Sequence, residues 1–228
     1  MTQFDINTRF DFLSQLTSMV VSGQTPSLVI TGEGGLGKTY TVNKTIEDLN
    51  LQPNEYISFK GYSTARGLYN TLFDNNGKLI IFDDCDSVLE DKIAINILKS
   101  ALDSYETRKI SWMSKMNKND EYPNQFEFTG RIIFISNKDR SKIDNAILSR
   151  SLVVDVSMTP DEKIERMMYI ISDILPEYDL SFKMDALNFL NDFKNECELT
   201  IRSLIKITKI RYSFPDNWMN LAKYMIKS

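Results

Sequence analysis

One stretch constrains this chain more than any other: Gly32-Glu33-Gly34-Gly35-Leu36-Gly37-Lys38-Thr39. It has the form G-x-x-x-x-G-K-T. It follows a short apolar run, Ser27–Thr31, and precedes residues 38–49, which read as a helix. A glycine-rich loop between strand and helix lets backbone N–H groups close around phosphate oxygens, and the new helix points its positive end at them. Lys38 is placed to reach the β- and γ-phosphates, and the Thr39 hydroxyl to ligate Mg²⁺. The candidate nucleotide-binding set is Gly32, Glu33, Gly34, Gly35, Leu36, Gly37, Lys38, Thr39 and the adjoining Tyr40. ATP and Mg²⁺ are the expected cofactors.

A parallel sheet is the expected frame for such a loop, and the rest of the chain supplies one. Four more apolar runs read as buried strands: 56–59, 79–82, 132–136 and 152–156. Helical patterns separate them, at 65–73 and at 92–105, where Ile93, Ile97, Leu98, Ala101 and Leu102 share a face. A further helix is expected at 10–21, ending at Gly23. Strands alternating with helices imply an α/β fold with a five-stranded parallel sheet sandwiched by helices. The character changes at Thr159-Pro160-Asp161-Glu162, a capping box with proline at the first helical position. Beyond it about four helices are expected, broken near Pro176 and Pro215, and no strand. Two domains follow: residues 1–157, an ATPase body with a hairpin insert at about 106–130, and residues 158–228, a small helical lid.

The strand at 79–82 runs into Asp83 and Asp84. Burying adjacent carboxylates at a strand end is costly without a cation. Asp83 is therefore expected to hold Mg²⁺ with Thr39, and Asp84 to orient the attacking water. Other chemistries are excluded by composition. The chain has no histidine, which removes His/Cys zinc sites and His-dependent triads, and its two cysteines lack metal-ligand spacing. No apolar run approaches the ~20 residues of a membrane span. No secretory signal is recognisable at the N-terminus, so a cytoplasmic setting is expected, the host cytoplasm if the source is viral. Net charge is −4, yet residues 202–228 hold six basic residues and one acid, leaving −9 for the rest. The wet faces of amphipathic helices account for that excess, with an anionic partner as the alternative.

Phosphate loop and acidic strand end together resemble the AAA+ ATPase superfamily, over most of the chain. Asp83-Asp84-Cys85-Asp86 resembles the acidic box of clamp-loader-type members, which usually has Glu second; Asp84 is one methylene shorter, and slower hydrolysis is the expected consequence. Ile132–Asn137 resembles the sensor-1 strand, whose tip, Asn137, would position water beside the γ-phosphate. Ala146–Arg150 resembles the Ser-Arg motif, in which Arg150 would reach into a neighbour's site, with Arg140 in reserve. Leu199–Leu204 resembles the sensor-2 helix, with Arg202 reaching the γ-phosphate.

Two features bear on what such a motor would move. Phe59-Lys60-Gly61 resembles the aromatic pore loop of threading rings, with Phe59 as a plain core residue the alternative. Residues 109–113 and 125–128 alternate enough for a hairpin, and its position resembles the pre-sensor-1 hairpin of AAA+ helicases. Arg108, Lys109, Lys115 and Lys118 surround Trp112, a pattern suited to single-stranded nucleic acid, but Asp120, Glu121 and Glu127 leave the insert nearly neutral, and a mobile surface hairpin is the equal alternative. With no recognisable targeting segment ahead of the body, the chain resembles compact virus- or phage-encoded members. The resemblance implies an ATPase in a homo-oligomeric ring, a hexamer by analogy, serving nucleic-acid metabolism as a motor or loader. Single-stranded nucleic acid or a protein is the implied substrate and no membrane is expected. The alternatives are a protein-threading chaperone and a weakly hydrolysing nucleotide switch.

Overall fold

The computed structural model describes residues 4–105, 107–113 and 122–227. Lys115, Lys118, Asp120 and Glu121 lie outside these described residues. The chain divides into two compact units. One comprises Phe10–Glu33 and Lys38–Val156; the other comprises the segment up to Arg9, Gly34–Gly37 and Ser157–Ser228.

The first unit is built on five parallel strands: β1 (Ser27–Thr31), β2 (Tyr56–Lys60), β3 (Leu79–Asp83), β6 (Arg131–Ile135) and β7 (Leu152–Asp155), in the spatial order β2-β3-β6-β1-β7. The central strands β1 and β3 are buried at every position. Strands covered on both faces are apolar throughout rather than alternating, which is why they stand out as runs in the sequence. Helices α1 (Ile6–Val21), α2 (Lys38–Asp48), α3 (Ala65–Asp74), α4 (Ser87–Glu90), α5 (Lys92–Ala101) and α6 (Asn145–Leu148) link or precede the strands. Thr64 caps α3 through Gly67 N–H, and Asp91 caps α5 through Ile93 and Ala94 N–H. The expected hairpin is present as β4 (Lys109–Ser111) paired antiparallel with β5 (Gln125–Glu127).

Four helices make up most of the second unit: α7 (Pro160–Tyr169), α8 (Leu180–Asp192), α9 (Ile201–Ser213) and α10 (Trp218–Lys227). The capping box at Thr159 and Glu162 forms as expected. Met167, Leu187, Leu190, Leu204 and Ile207 form its separate apolar core. Among the described residues no helix is long and apolar enough to cross a membrane.

Candidate nucleotide site and its surroundings

Parallel strands of similar length deliver their C-terminal ends to one edge of the sheet. β1 ends at Thr31 before the phosphate loop, β3 ends at Asp83, and β6 leads to Asn137. Register carries the alignment across: β3 and β6 pair Asp83 with Ile135, and β6 and β1 pair Ile135 with Ile30.

At this edge Lys38 is buried, 5% exposed. Its ammonium donates to the carbonyls of Gly32 and Glu33 and to Asn137 Oδ1 at 2.9 Å. Burial lowers its pKa to about 8, against the opposing pull of Asp84, Asp83, Asp86 and Glu33. Asn137 makes a second contact: its Nδ2 donates to Asp84 Oδ1 at 2.6 Å. One amide therefore bridges the lysine and the second acid, with its acceptor towards the cation and its donor towards the carboxylate. Thr39 Oγ1 lies 3.0 and 3.1 Å from the two oxygens of Asp83, which is only 2% exposed. Lys60 Nζ lies 2.7 Å from Asp83 Oδ2.

Asp84 has φ of 55°, in the left-handed region that a side chain adopts at some cost. Its N–H is held by the Ile135 carbonyl at 3.0 Å. Nothing in the sequence marks this strain beyond the residue type, since Asp and Asn tolerate left-handed backbone better than most. Asp86 is turned to a different task, accepting from Ser136 Oγ at 2.6 Å. Cys85 is buried, and burial with Asp83, Asp84 and Asp86 nearby pushes its thiol pKa up, which suits a packing role.

The donors fit a hard divalent cation held by few protein groups. Thr39 and Asp83 supply oxygen, and no cluster of three or more metal-ligating acids, cysteines or histidines occurs among the described residues. Mg²⁺ is commonly bound by one or two carboxylates together with phosphates and water, not by an all-protein cage. The buried ammonium, in turn, suits an anion.

The remaining loop residues, Gly34–Gly37, belong to the second unit. There Gly35 has φ of 78°, and its carbonyl accepts from Ile201 N–H at 2.9 Å. A Cβ on Gly35 would stand 2.9 Å from Thr200 Cγ2, so this position admits only glycine without a shift of α9. Leu36 is buried and Tyr40 is 61% exposed. Arg202, second residue of α9, is exposed.

Arg150 lies at the other end of β1. Its carbonyl accepts from Ser27 Oγ at 3.3 Å, and its guanidinium donates to Ala146 O at 3.0 Å. From Ser27 to Thr31 a strand rises about 13 Å. The Arg150 backbone is thus at the end of β1 opposite the phosphate loop, a strand's length along it. It lines an open groove of about 770 Å³ with Arg108 and Arg131. All three arginines there donate to carbonyls at helix ends: Arg108 to Ala101, Arg131 to Val20 and Val21, and Arg150 to Ala146. This concavity is roomy, yet its lining includes neither Lys38 nor Asp83 nor Asp84. Arg140 is exposed in a short 3₁₀ turn, Arg140–Lys142.

Two expectations need correction. Phe59 is a sheet residue, half-buried, stacked on Phe82 with centroids 6.0 Å apart, and packed against the main core. Its alternation with exposed Ser58 and Lys60 turns it inward, so it is no pore aromatic. The exposed aromatic beyond β2 is Tyr62, at 82%. Trp112 is likewise half-buried, its ring 5.9 Å from Tyr69, in a cluster with Phe126 and Phe73 on α3. Arg108 donates to Ala101 O and Gly130 O and lies over Phe128. The aromatic and one of the cations that suggested a nucleic-acid hairpin therefore dock the hairpin instead. Lys109 is exposed.

No family model matches the chain. An uncharacterised 36.7 kDa protein from the nrdC–mobD intergenic region of Enterobacteria phage T4 is 33% identical over 193 residues, 78% of this chain. The chain spans 58% of that protein's length. Among solved structures, a point mutant of RuvB from Thermotoga maritima superposes with a TM-score of 0.60 at 13% identity, covering 96% of this chain and 69% of RuvB. The RuvB Holliday junction branch migration motor of the same organism gives 0.58 at 14%, covering 99% and 70%. The chain is thus similar in sequence to a phage T4 protein, and its fold is that of RuvB, the AAA+ ATPase fold.

Proposed function

We propose that this chain is a Mg²⁺-dependent ATPase that works in an oligomeric ring as a motor or loader in nucleic-acid metabolism. The observation that carries the reading is the bridge Lys38–Asn137–Asp84, a buried cation and a carboxylate joined by one amide beside the phosphate loop. Lys38 binds the β- and γ-phosphates, exchanging carbonyl partners for phosphate oxygens. Thr39 and Asp83 would hold Mg²⁺, which would supply positive charge to offset the charge developing on the transferred phosphoryl group. Asp84 orients the attacking water and accepts its proton, and Asn137 fixes that carboxylate at the γ-phosphate end. Arg150 is engaged by Ala146 in a groove that does not include Lys38, Asp83 or Asp84, which supports action on a neighbouring subunit. Arg202 is our candidate for a lid contact to the γ-phosphate.

The nucleic-acid role is supported by likeness to a fold whose member, RuvB, is named a branch migration motor. The threading alternative loses its proposed aromatic with Phe59. The test is ATPase rate against protein concentration, with and without single-stranded DNA. A rate rising with concentration and stimulated by DNA is expected. Stimulation by unfolded protein instead of DNA would favour threading, and tight ATP binding without turnover would favour a switch.

A further inference from the structure

Strands β2 and β3 end in opposite charges. Their parallel register sets Phe59 beside Phe82 and Lys60 beside Asp83. The result is an asymmetric ion pair: the Asp83 side chain is 2% exposed, while that of Lys60 is 66% exposed. A surface cation thus reaches a buried carboxylate that also faces the Thr39 hydroxyl.

We propose that Lys60 is a resident counter-ion that competes with the divalent cation for Asp83, so that metal loading is tied to the β2–α3 loop. The inference rests on the reading of Asp83 as a metal-binding residue and adds a regulator to it. A buried carboxylate left without a cation is costly, so a group that satisfies Asp83 opposes metal entry. Two cations at one carboxylate oxygen repel, so metal binding weakens the Lys60 contact.

What moves with Lys60 is set by its neighbours. Gly61 follows with φ of 97° and open space around its Cα, and Tyr62 is exposed. Ser63 is fixed at both backbone groups: its N–H donates to Ser87 Oγ at 3.0 Å, and Ser87 Oγ donates to its carbonyl at 3.1 Å. Ser87 opens α4, four residues beyond Asp83. The loop is therefore held at Lys60 by charge and at Ser63 by hydrogen bonds, with the conformationally permissive Gly61 between them. Release of Lys60 frees one anchor and keeps the other. Residues 61 and 62 absorb the change.

The experiment titrates Mg²⁺ into the full chain with a fluorescent, non-hydrolysable ATP analogue. It compares wild type with Lys60→Ala, Lys60→Met and Lys60→Arg. An exposed ion pair contributes little and one to a buried charge more, so losing the competitor should lower the Mg²⁺ midpoint about two- to tenfold in the Ala and Met variants. Arg should remain near wild type. Amide hydrogen exchange at 61 and 62 should rise on adding Mg²⁺ and the analogue to wild type, while that of Ser63 stays protected, and in Lys60→Met exchange at 61 and 62 should already be high and unresponsive. An unchanged or raised midpoint in a folded Ala or Met variant overturns the inference and leaves the ATPase reading standing. A wild-type protein that binds no nucleotide in a Mg²⁺-dependent way overturns the site reading, and this inference with it.

Discussion

The Lys38 ammonium has three acceptors from its own chain, so nucleotide must replace contacts and not merely find a bare charge. A charge-assisted contact still favours phosphate over neutral carbonyls. Lys38→Ala should weaken ATP binding about ten- to hundredfold by titration with a fluorescent nucleotide, given ~1.5–3 kcal/mol for such hydrogen bonds; wild-type affinity would remove the phosphate-loop assignment. Asp84→Asn keeps the hydrogen-bonding shape but loses the base. It should bind ATP normally and lower the turnover rate by about 10²–10⁴-fold, the usual worth of a positioned base. Normal turnover would move the chemistry elsewhere, although Asp86 is engaged by Ser136. Asp83→Asn should instead raise the Mg²⁺ requirement.

At the scale of elements, strands and caps are readable because their causes are local. Continuous apolar runs mark strands buried on both faces, and Thr159 with Glu162 marks a helix start. The hairpin is also readable from its alternation. Its use is not, because the surface that receives it comes from elsewhere in the chain: Tyr69 and Phe73 on α3. An aromatic among basic residues looks alike whether it stacks on a base or on a tyrosine. The same applies to Phe59, whose partner Phe82 is set by a β2–β3 register that sequence alone leaves open. The Lys60–Asp83 contact is hidden for that reason too. Trp112→Ala should therefore lower stability by about 2–3 kcal/mol in urea unfolding, less than a fully buried tryptophan, with no selective loss of DNA binding. Full stability with lost DNA affinity would restore the tryptophan to a recognition role.

For the whole molecule, the governing fact is that the Arg150 backbone sits at Ser27, the end of β1 away from the phosphate loop. On the proposed reading, a site that needs this arginine would be completed by another copy, and head-to-tail contacts of that kind can close into a ring. Specific ATPase activity should rise with protein concentration. Arg150→Ala and Asp84→Asn subunits, each inactive alone, should recover part of the activity when mixed, because some contacts then join an intact Asp84 to an intact Arg150. An arginine finger is worth about 10³–10⁵ in rate, so even a small fraction of such contacts is measurable. A concentration-independent rate from a monomer would assign Arg150 solely to capping α6, the task its bond to Ala146 already performs.

The left-handed backbone at Asp84 bears on why this acid is short. Aspartate and glutamate codons differ at one base, so mutation can exchange them in a single step. The turn makes that exchange unequal, because a left-handed backbone costs about 1–2 kcal/mol for an ordinary side chain and less for Asp or Asn. A glutamate arriving here gains a methylene of reach and meets a bend that resists it. A longer acid here would thus require the backbone at Asp84, held by the Ile135 carbonyl of the neighbouring strand, to shift first, and the shorter acid is the one that the existing chain path accommodates.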